Sequence, residues 1–324
     1  MQQNQHREPL ILPFFTRRSV GECINTGVAL FKFYRKTMLR LALLVLLPIA
    51  LLHAVPVFSL QQQGMDNQRV ESRYIDPYSE YYDEDPFGDD GWKLIVMQSL
   101  AILAIMGLAT AVAVRHHDDE PRGDEDVVRM RDLRVKDIFV TMSRQWFGIL
   151  LSAAFASFIA WILLKLISVA WDDSLGTVFL FIFVLPIFLL LLYFVFVSHL
   201  NWCLKTEWKK GRVVSLVFSN FGSFLGLVFM MTLVVFFAQM VTELPWRLLV
   251  ILRDDLLSEA ARNVAVAWTY DVLLYLFSAF QLLYFYLSVL IAVLVCFYFY
   301  GNCVARKALN FDDLNRLIET FDQP

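Results

Sequence analysis

The feature that most constrains this chain is a series of long apolar blocks that carry almost no charge. The longest, 272–305, contains no Asp, Glu, Lys or Arg. A helix needs about 20 apolar residues to cross a ~30 Å hydrocarbon core, and a helix satisfies its own backbone hydrogen bonds inside lipid. Six blocks meet this length and predict six transmembrane helices. They are 38–57, 94–114, 147–169, 178–199, 221–241 and a span within 272–305.

Composition supports the same fold class. Hydrophobic residues make up 58% of the 324 residues and charged residues only 18%, whereas a soluble domain carries about 25% charged residues. This excludes a soluble enzyme, a nucleic-acid binder and a disordered chain. Blocks such as 179–196 are apolar on all sides, which excludes the alternating pattern of a β-barrel. The sequence therefore predicts an all-α integral membrane protein with one domain, 1–324, whose first partner is the lipid bilayer.

The distribution of basic residues predicts the orientation. Loops on the cytoplasmic side of a membrane carry an excess of Lys and Arg. With the N-terminus inside, the inner segments hold 21 of these residues and the outer segments 6. We therefore expect both termini to be cytoplasmic, in a plasma (inner) membrane. The predicted extramembrane parts are a lead-in at 1–37, an outer loop at 58–93, an inner loop at 115–146 and a tail at 306–324.

Three stretches that precede spans one, three and five share a pattern. They begin at Arg18, Arg134 and Arg212, and each mixes apolar residues at helical spacing with small polar ones. Each predicts an amphipathic helix in the cytoplasmic interface. Ser19 and Glu22 fit a capping box at the start of the first. The pattern indicates a unit that occurs three times, although basic residues precede inside-to-outside helices in any membrane protein.

The outer loop 58–93 is acidic and rich in tyrosine. Aromatic side chains that are also polar are favoured in protein contacts, so this loop is the predicted partner-binding surface for membrane or periplasmic proteins. Its carboxylates match no calcium-loop spacing. The candidate contact residues are Tyr74, Tyr78, Tyr81 and Tyr82.

Two ionisable residues within the predicted spans are candidate functional groups. His53 could be a proton site or a pocket ligand, or it could hydrogen-bond to a neighbouring helix. Lys165 is expected near the outer interface, where its stem can extend toward Asp172 and Asp173.

Amides and hydroxyls in the spans have two interpretations. Gln98, Gln281 and Thr110 could line a path, or they could link neighbouring helices. Pro48 and Pro56 in the first span predict a kink, which can expose backbone groups for substrate binding in transporters or can be a tolerated bend.

Signatures of catalysis and metal binding are absent from the sequence. It has no phosphate loop, no dinucleotide fingerprint and no nucleophile elbow or metalloprotease motif, and no pair of carboxylates lies within the spans. The four cysteines fit no zinc or redox spacing and fall near the predicted cytoplasmic face, so no disulfide is expected. The sequence predicts no enzyme, no cofactor and no catalytic or metal residue.

The segment RRSVGECINTGVALFKFYRK at 17–36, followed by an apolar span with Pro48, resembles a loose group of bacterial inner-membrane proteins. The group includes uncharacterised six-helix proteins and the membrane domain fused to some glycerophosphodiester phosphodiesterases. This chain lacks the soluble hydrolase domain of the fused enzymes. The resemblance implies a membrane domain without catalysis and transfers no site residues.

Three functions remain open at this stage. The first is a non-enzymatic scaffold or envelope-organising protein that binds partners through the outer loop and the amphipathic helices. The second is a transporter or lipid-handling protein with a cavity between kinked helices. The third is an intramembrane enzyme, which a cluster of His53, Gln98 and Gln281 around a pocket would favour.

Overall fold

The computed structural model of this chain describes residues 15–71, 91–118, 134–170, 185–204, 210–251 and 264–321. Within these residues every regular element is a helix and no strand occurs. The α-helices are α1 Val20–Phe33, α2 Arg35–Leu41, α3 Leu47–Glu71, α4 Gly91–Asp118, α5 Val135–Arg144, α6 Trp146–Ala170, α7 Leu185–Cys203, α8 Lys210–Ile251 and α9 Val264–Phe321.

Six stretches of these helices are long and apolar enough to cross a membrane, as the sequence predicts. Large apolar side chains on them are turned outward; Phe229 and Val241 are 64% and 66% exposed. Such surfaces are stable only against lipid or another apolar partner. The six stretches are Arg35–Ser59, Trp92–His117, Trp146–Leu163, Leu185–Cys203, Val214–Pro245 and Trp268–Arg306.

Separate lead-in helices precede the first and third spans. The predicted capping box of α1 is confirmed, since Ser19 Oγ accepts from Glu22 N–H and Glu22 Oε2 accepts from Ser19 N–H. α1 ends at Tyr34 and α5 ends at Gln145, each with ψ near zero (18° and 7°). A single residue of this kind changes the chain direction before the next helix begins.

The third predicted lead-in is not a separate helix. α8 runs without a break from Lys210 to Ile251, so the prediction of an interfacial helix before span five is wrong there. The physical reason is charge. The first two lead-ins contain charged residues along their length, whereas 213–242 contains no Asp, Glu, Lys or Arg, and nothing holds that stretch at an interface.

The observed helices also extend beyond other predicted boundaries. The predicted fifth span ends at 241 and the sixth lies within 272–305, whereas α8 continues through Ile251 and α9 starts at Val264. Residues 252–263 lie outside the described part. The tail is predicted to begin at 306, whereas α9 continues without a break as far as Phe321.

The prolines of the first span are accommodated locally. A π-helical turn at Ala42–Leu46 comes just before Pro48; proline cannot donate to the carbonyl four residues back, and a π turn is one way to absorb that loss. Pro56 lies inside α3. Tyr275 O–H donates to the Leu51 carbonyl at 2.7 Å, so a side chain of α9 bonds to the backbone of this span.

Packing divides the chain into two units. The first comprises Met1–Leu41, Ile105–Thr232 and Val289–Pro324, and the second comprises Ala42–Ala104 and Leu233–Ser288.

In the first unit, α1 packs against the second half of α9. A Cβ built on Gly27 would lie 2.6 Å from Val295 Cγ2 and 2.9 Å from Val295 Cα, so only glycine permits this approach. Arg18, at the other end of α1, bonds to Asn302. Gly27 contacts Val295, whereas Arg18, earlier in the chain, contacts Asn302, later in the chain. The two helices are therefore antiparallel.

Candidate functional site

The predicted intramembrane residues can be placed individually. His53 is buried in the second unit, where its Nδ1 hydrogen-bonds to the Tyr286 hydroxyl and the two rings stack. The structure thus gives His53 a partner on a neighbouring helix. Lys165 is exposed and lies just beyond the apolar stretch Trp146–Leu163.

Gln98 and Gln281 are half-buried. Among the described residues no hydrogen bond joins His53 to either glutamine, and the cluster of these three residues stays a prediction. The four tyrosines of the outer loop, Tyr74, Tyr78, Tyr81 and Tyr82, lie outside the described residues, as do Asp172 and Asp173.

A buried polar junction centred on His199 joins three helices of the first unit. His199 Nε2 lies 2.9 Å from Thr110 Oγ1 on α4, and Nδ1 lies 3.0 Å from Ser152 Oγ on α6. Cys203 Sγ, one turn further along α7, lies 3.6 Å from Nε2. All four residues are buried. Of the two roles that the sequence leaves open for Thr110, lining a path or linking neighbouring helices, the structure shows the link.

The junction has the chemistry of a link between helices. A neutral imidazole donates from one nitrogen and accepts at the other, and each hydroxyl can take either role, so all three groups are satisfied. Nucleophilic catalysis by a Ser–His pair needs a third group that orients the base. Here the third group is the Thr110 hydroxyl, which cannot stabilise an imidazolium as a carboxylate would.

Replacing His199 with leucine should destabilise the protein by about 2 kcal/mol, because it removes two interhelical hydrogen bonds worth ~1 kcal/mol each in a membrane. A double-mutant cycle with Thr110→Val should give a coupling energy of about 1 kcal/mol. The measurement is denaturation of purified protein in mixed micelles.

Thr26→Val is the matched control for that cycle, since the Thr26 hydroxyl bonds only to the Glu22 carbonyl of its own helix. Its coupling with His199→Leu should be zero within error. Equal coupling for both threonines would show that the junction does not exist in the folded protein.

A second group of polar residues surrounds the start of α1. The Arg18 N–H donates to Asn302 Oδ1 at 2.8 Å, and Arg306 Nε donates to the same oxygen at 3.1 Å. Arg306 Nη2 donates to the Arg18 carbonyl at 2.8 Å. The Arg18 guanidinium stands 5.3 Å from the centre of the buried Tyr298 ring, a cation–π distance. These contacts fix both arginines relative to α9.

An open cavity of about 450 Å³ lies at this place. Among the described lining residues three are arginines and one is acidic, so these residues carry an excess of two positive charges. The Glu22 carboxylate is engaged with Ser19, whose backbone and side-chain hydrogen bonds, together with the Arg18 charge, lower the pKa of Glu22 below 4.5. The lining residues are Arg17, Arg18, Ser19, Glu22 and Arg306.

The four cysteines are free thiols. Cys23 lies one turn into α1 and is fully buried. Burial raises its pKa from 9.0 to about 11, against the smaller opposing effect of Arg18 and Arg306. Within the described residues, no group of His, Cys, Asp and Glu side chains has the geometry of a metal site.

Cys23 should react with iodoacetamide at least tenfold more slowly at pH 8 than an exposed thiol, because the thiolate is the nucleophile. A cysteine introduced by Gly21→Cys is the matched control, since that position on α1 is open. The reaction at Cys23 should accelerate with pH up to about 11. Peptide mass spectrometry after timed alkylation measures both rates.

The raised pKa of Cys23 also makes the stability of the fold depend on pH. Because the folded state holds the Cys23 proton more tightly, its contribution is complete below pH 9.0 and is lost as the pH rises toward about 11. Equal alkylation rates for Cys23 and the cysteine at position 21 would contradict the burial of this thiol.

The helices, their length and their outward apolar side chains are those of an α-helical multi-pass membrane protein. Comparisons with protein-family models, with curated protein sequences and with solved structures found no match to this chain. The resemblance of 17–36 to bacterial inner-membrane proteins therefore stays a prediction.

Sequence reasoning missed the two polar groups that the first unit assembles. The available signals were the Arg17–Arg18 pair ahead of the capping box and the Asn302–Arg306 pair, which are one helical turn apart at the end of the longest apolar block. His199 gave a weaker signal, as a polar residue near the end of a span. None of these patterns identifies its distant partner.

Proposed function

We propose that this chain is a non-enzymatic scaffold of a bacterial inner membrane, which holds partner proteins through its extramembrane surfaces. The observation that carries the proposal is the dense aromatic packing of the first unit. The Tyr193 ring stacks on Phe224 with centroids 4.0 Å apart, and Phe299 packs against both. Tyr298 and Phe297, which precede Phe299 on α9, are each 1% exposed.

This packing favours a scaffold over a transport path. A path across the membrane needs polar side chains that face water. His53 and His199 instead direct their ring nitrogens at neighbouring side chains. A rigid interior suits a protein that presents fixed surfaces to partners.

We place both termini of this scaffold in the cytoplasm, on the strength of the 21 inner and 6 outer basic residues. An epitope at the C-terminus should be cleaved by protease in inside-out vesicles and protected in right-side-out vesicles. The reverse pattern would invert the orientation and place the tyrosine-rich loop inside.

Partner binding is assigned to the predicted outer segment 58–93, of which residues 58–71 are the continuation of α3 and residues 91–93 belong to α4. Native mass spectrometry of the protein extracted gently with its surrounding membrane should detect a stoichiometric protein partner. Changing Tyr74, Tyr78, Tyr81 and Tyr82 together to serine should release that partner, since tyrosine contributes large contact areas at interfaces. The matched control changes Tyr275 to phenylalanine, which keeps every outer-loop residue.

Transport or lipid handling is the second candidate function, and the π-helical turn at Ala42–Leu46 followed by Pro48 favours it. Irregular helix in a membrane is stable where it is packed in protein or lines a cavity. A bare monomer or homo-oligomer that retains one particular lipid or small molecule in the same experiment would overturn the scaffold proposal and support this one.

A further inference from the structure

We propose that the cavity lined by Arg17, Arg18 and Arg306 binds the phosphate group of an anionic ligand. This site goes beyond the scaffold function and does not depend on it. The proposal rests on the charge of the described lining residues, on the way the arginines are held, and on the contacts of the Glu22 carboxylate.

Positive charge is concentrated at the cavity. Among the described residues, three arginines and one glutamate line it. Guanidinium is planar, permanently charged and shaped for two parallel hydrogen bonds to phosphate oxygens. Like charges near one another repel, so an arrangement of this kind is most stable with an anion between them.

The arginines come from opposite ends of the chain and are positioned by a shared partner. Asn302, which is 2% exposed, accepts from the Arg18 N–H and from Arg306 Nε through one oxygen. Arg306 is also fixed by its bond to the Arg18 carbonyl. These bonds hold the Arg18 backbone and the Arg306 guanidinium, and the Arg18 guanidinium lies 5.3 Å from the centre of the Tyr298 ring. Groups held in this way lose less conformational entropy on binding than mobile surface arginines would.

Glu22 offsets only one of the three arginine charges. Its Oε2 accepts from the Ser19 N–H at 2.6 Å within the capping box. The capping box occupies the N–H groups of Ser19 and Glu22, and the guanidinium groups supply the full positive charges of the cavity. Replacing Glu22 with glutamine is expected to tighten anion binding, the opposite of replacing an arginine, because glutamine can keep the cap while the negative charge is removed.

Phosphate of this kind has two sources, a phospholipid headgroup and a soluble phosphate compound. Arg306 is the last residue of the apolar stretch Trp268–Arg306, so the cavity adjoins the end of a membrane span, where headgroups lie. The first probe is dioleoylphosphatidic acid added to the full chain in neutral detergent, with binding measured by native mass spectrometry. Dioleoylphosphatidylcholine, which has no net charge, is the comparison lipid.

Wild-type protein should bind one phosphatidic acid more tightly than phosphatidylcholine. Arg17→Gln should weaken that binding about tenfold, the value of one charge-assisted hydrogen bond. Glu22→Gln should tighten it roughly threefold. Arg17 takes no part in the bonds that join Arg18, Asn302 and Arg306, so its loss leaves the helix contact intact, and unchanged thermal denaturation verifies this.

Arg35→Gln is the matched control, because it removes the same charge from an exposed residue outside the cavity. It should change the affinity by less than about twofold, since exposed charges at a distance are screened. Equal losses for Arg17→Gln and Arg35→Gln would overturn the site in favour of general surface attraction. Unchanged binding in both Arg17→Gln and Glu22→Gln would also overturn it.

Competition separates the two sources. Inorganic phosphate is added against sodium chloride of the same ionic strength. Displacement of phosphatidic acid by phosphate alone would show that the phosphate group suffices and that soluble phosphate compounds can occupy the cavity. Retention of the lipid, with the Arg17→Gln loss intact, would assign the cavity to a lipid headgroup. Failure of phosphatidic acid and inorganic phosphate alike to bind wild-type protein would refute the proposal.

Discussion

Replacing Gly27 with alanine is expected to destabilise the protein by about 1–3 kcal/mol, the usual cost of overpacking. The added Cβ would lie 2.9 Å from Cα and 3.0 Å from N of Val295. These are backbone atoms of α9, which cannot rotate away as a side chain can. The helices must separate, although alanine itself is about 1 kcal/mol better than glycine in a helix.

Gly21→Ala on the same helix is the matched control. A Cβ at Gly21 meets no atom within 4 Å, so this variant should be as stable as wild type or up to ~1 kcal/mol more stable. Denaturation of both variants in mixed micelles gives the difference. Alkylation of Cys23 gives an independent measurement, because separating α1 from α9 exposes that thiol.

We therefore expect Gly27→Ala to show a lower denaturation midpoint together with faster Cys23 alkylation. Equal midpoints for the Gly21 and Gly27 variants, with Cys23 still protected in both, would show that α1 does not pack on α9 in solution. That result would also remove the basis for positioning Arg18 beside Arg306.

The spans could be predicted from the sequence because crossing a membrane depends on the composition of consecutive residues. The block 272–305 needs no knowledge of its neighbours to be recognised. The capping box at Ser19 is similarly local, since its two partners are three residues apart. Both predictions are confirmed.

Helix breaks were harder to predict because their signals are weak. Tyr34 and Gln145 interrupt the helix although neither is proline or glycine, whereas Gly222 lies within the unbroken α8. The charges that accompany the first two lead-ins, and are absent from the third, distinguish these cases better than helix propensity does.

Long-range contacts could not be predicted from one sequence. Arg18 and Asn302 are 284 residues apart, and their meeting depends on which helices pack together. In a membrane this choice follows from small residues and shape, because lipid is as apolar as the helix surfaces. Gly27 is the residue that permits this contact, but glycine also occurs in α1 at position 21, where it faces open space.

The largest loss of stability is expected for Tyr193→Ala, at about 3–5 kcal/mol, the usual range for truncating a buried aromatic side chain. Tyr193 is 0% exposed, stacks on Phe224 with an interplanar angle of 12°, and approaches Phe299 at 6.3 Å. Its removal leaves a cavity between α7, α8 and α9, and these helices hold together chiefly through such packing.

Two control variants distinguish packing from other causes. Tyr193→Phe keeps the ring and removes only the hydroxyl, whose contact with Cys303 Sγ is long at 4.0 Å, so the loss should stay below ~1 kcal/mol. Phe194→Ala truncates the next residue, which is 41% exposed, and should cost less than Tyr193→Ala because that side chain has fewer protein neighbours.

The order of the three denaturation midpoints tests the proposed rigid interior. We expect Tyr193→Phe closest to wild type, Phe194→Ala next and Tyr193→Ala lowest. If Tyr193→Ala were as stable as Phe194→Ala, the aromatic core would not be closely packed in the folded protein. The scaffold proposal would then lose its main support, and a cavity among these helices would become the better explanation.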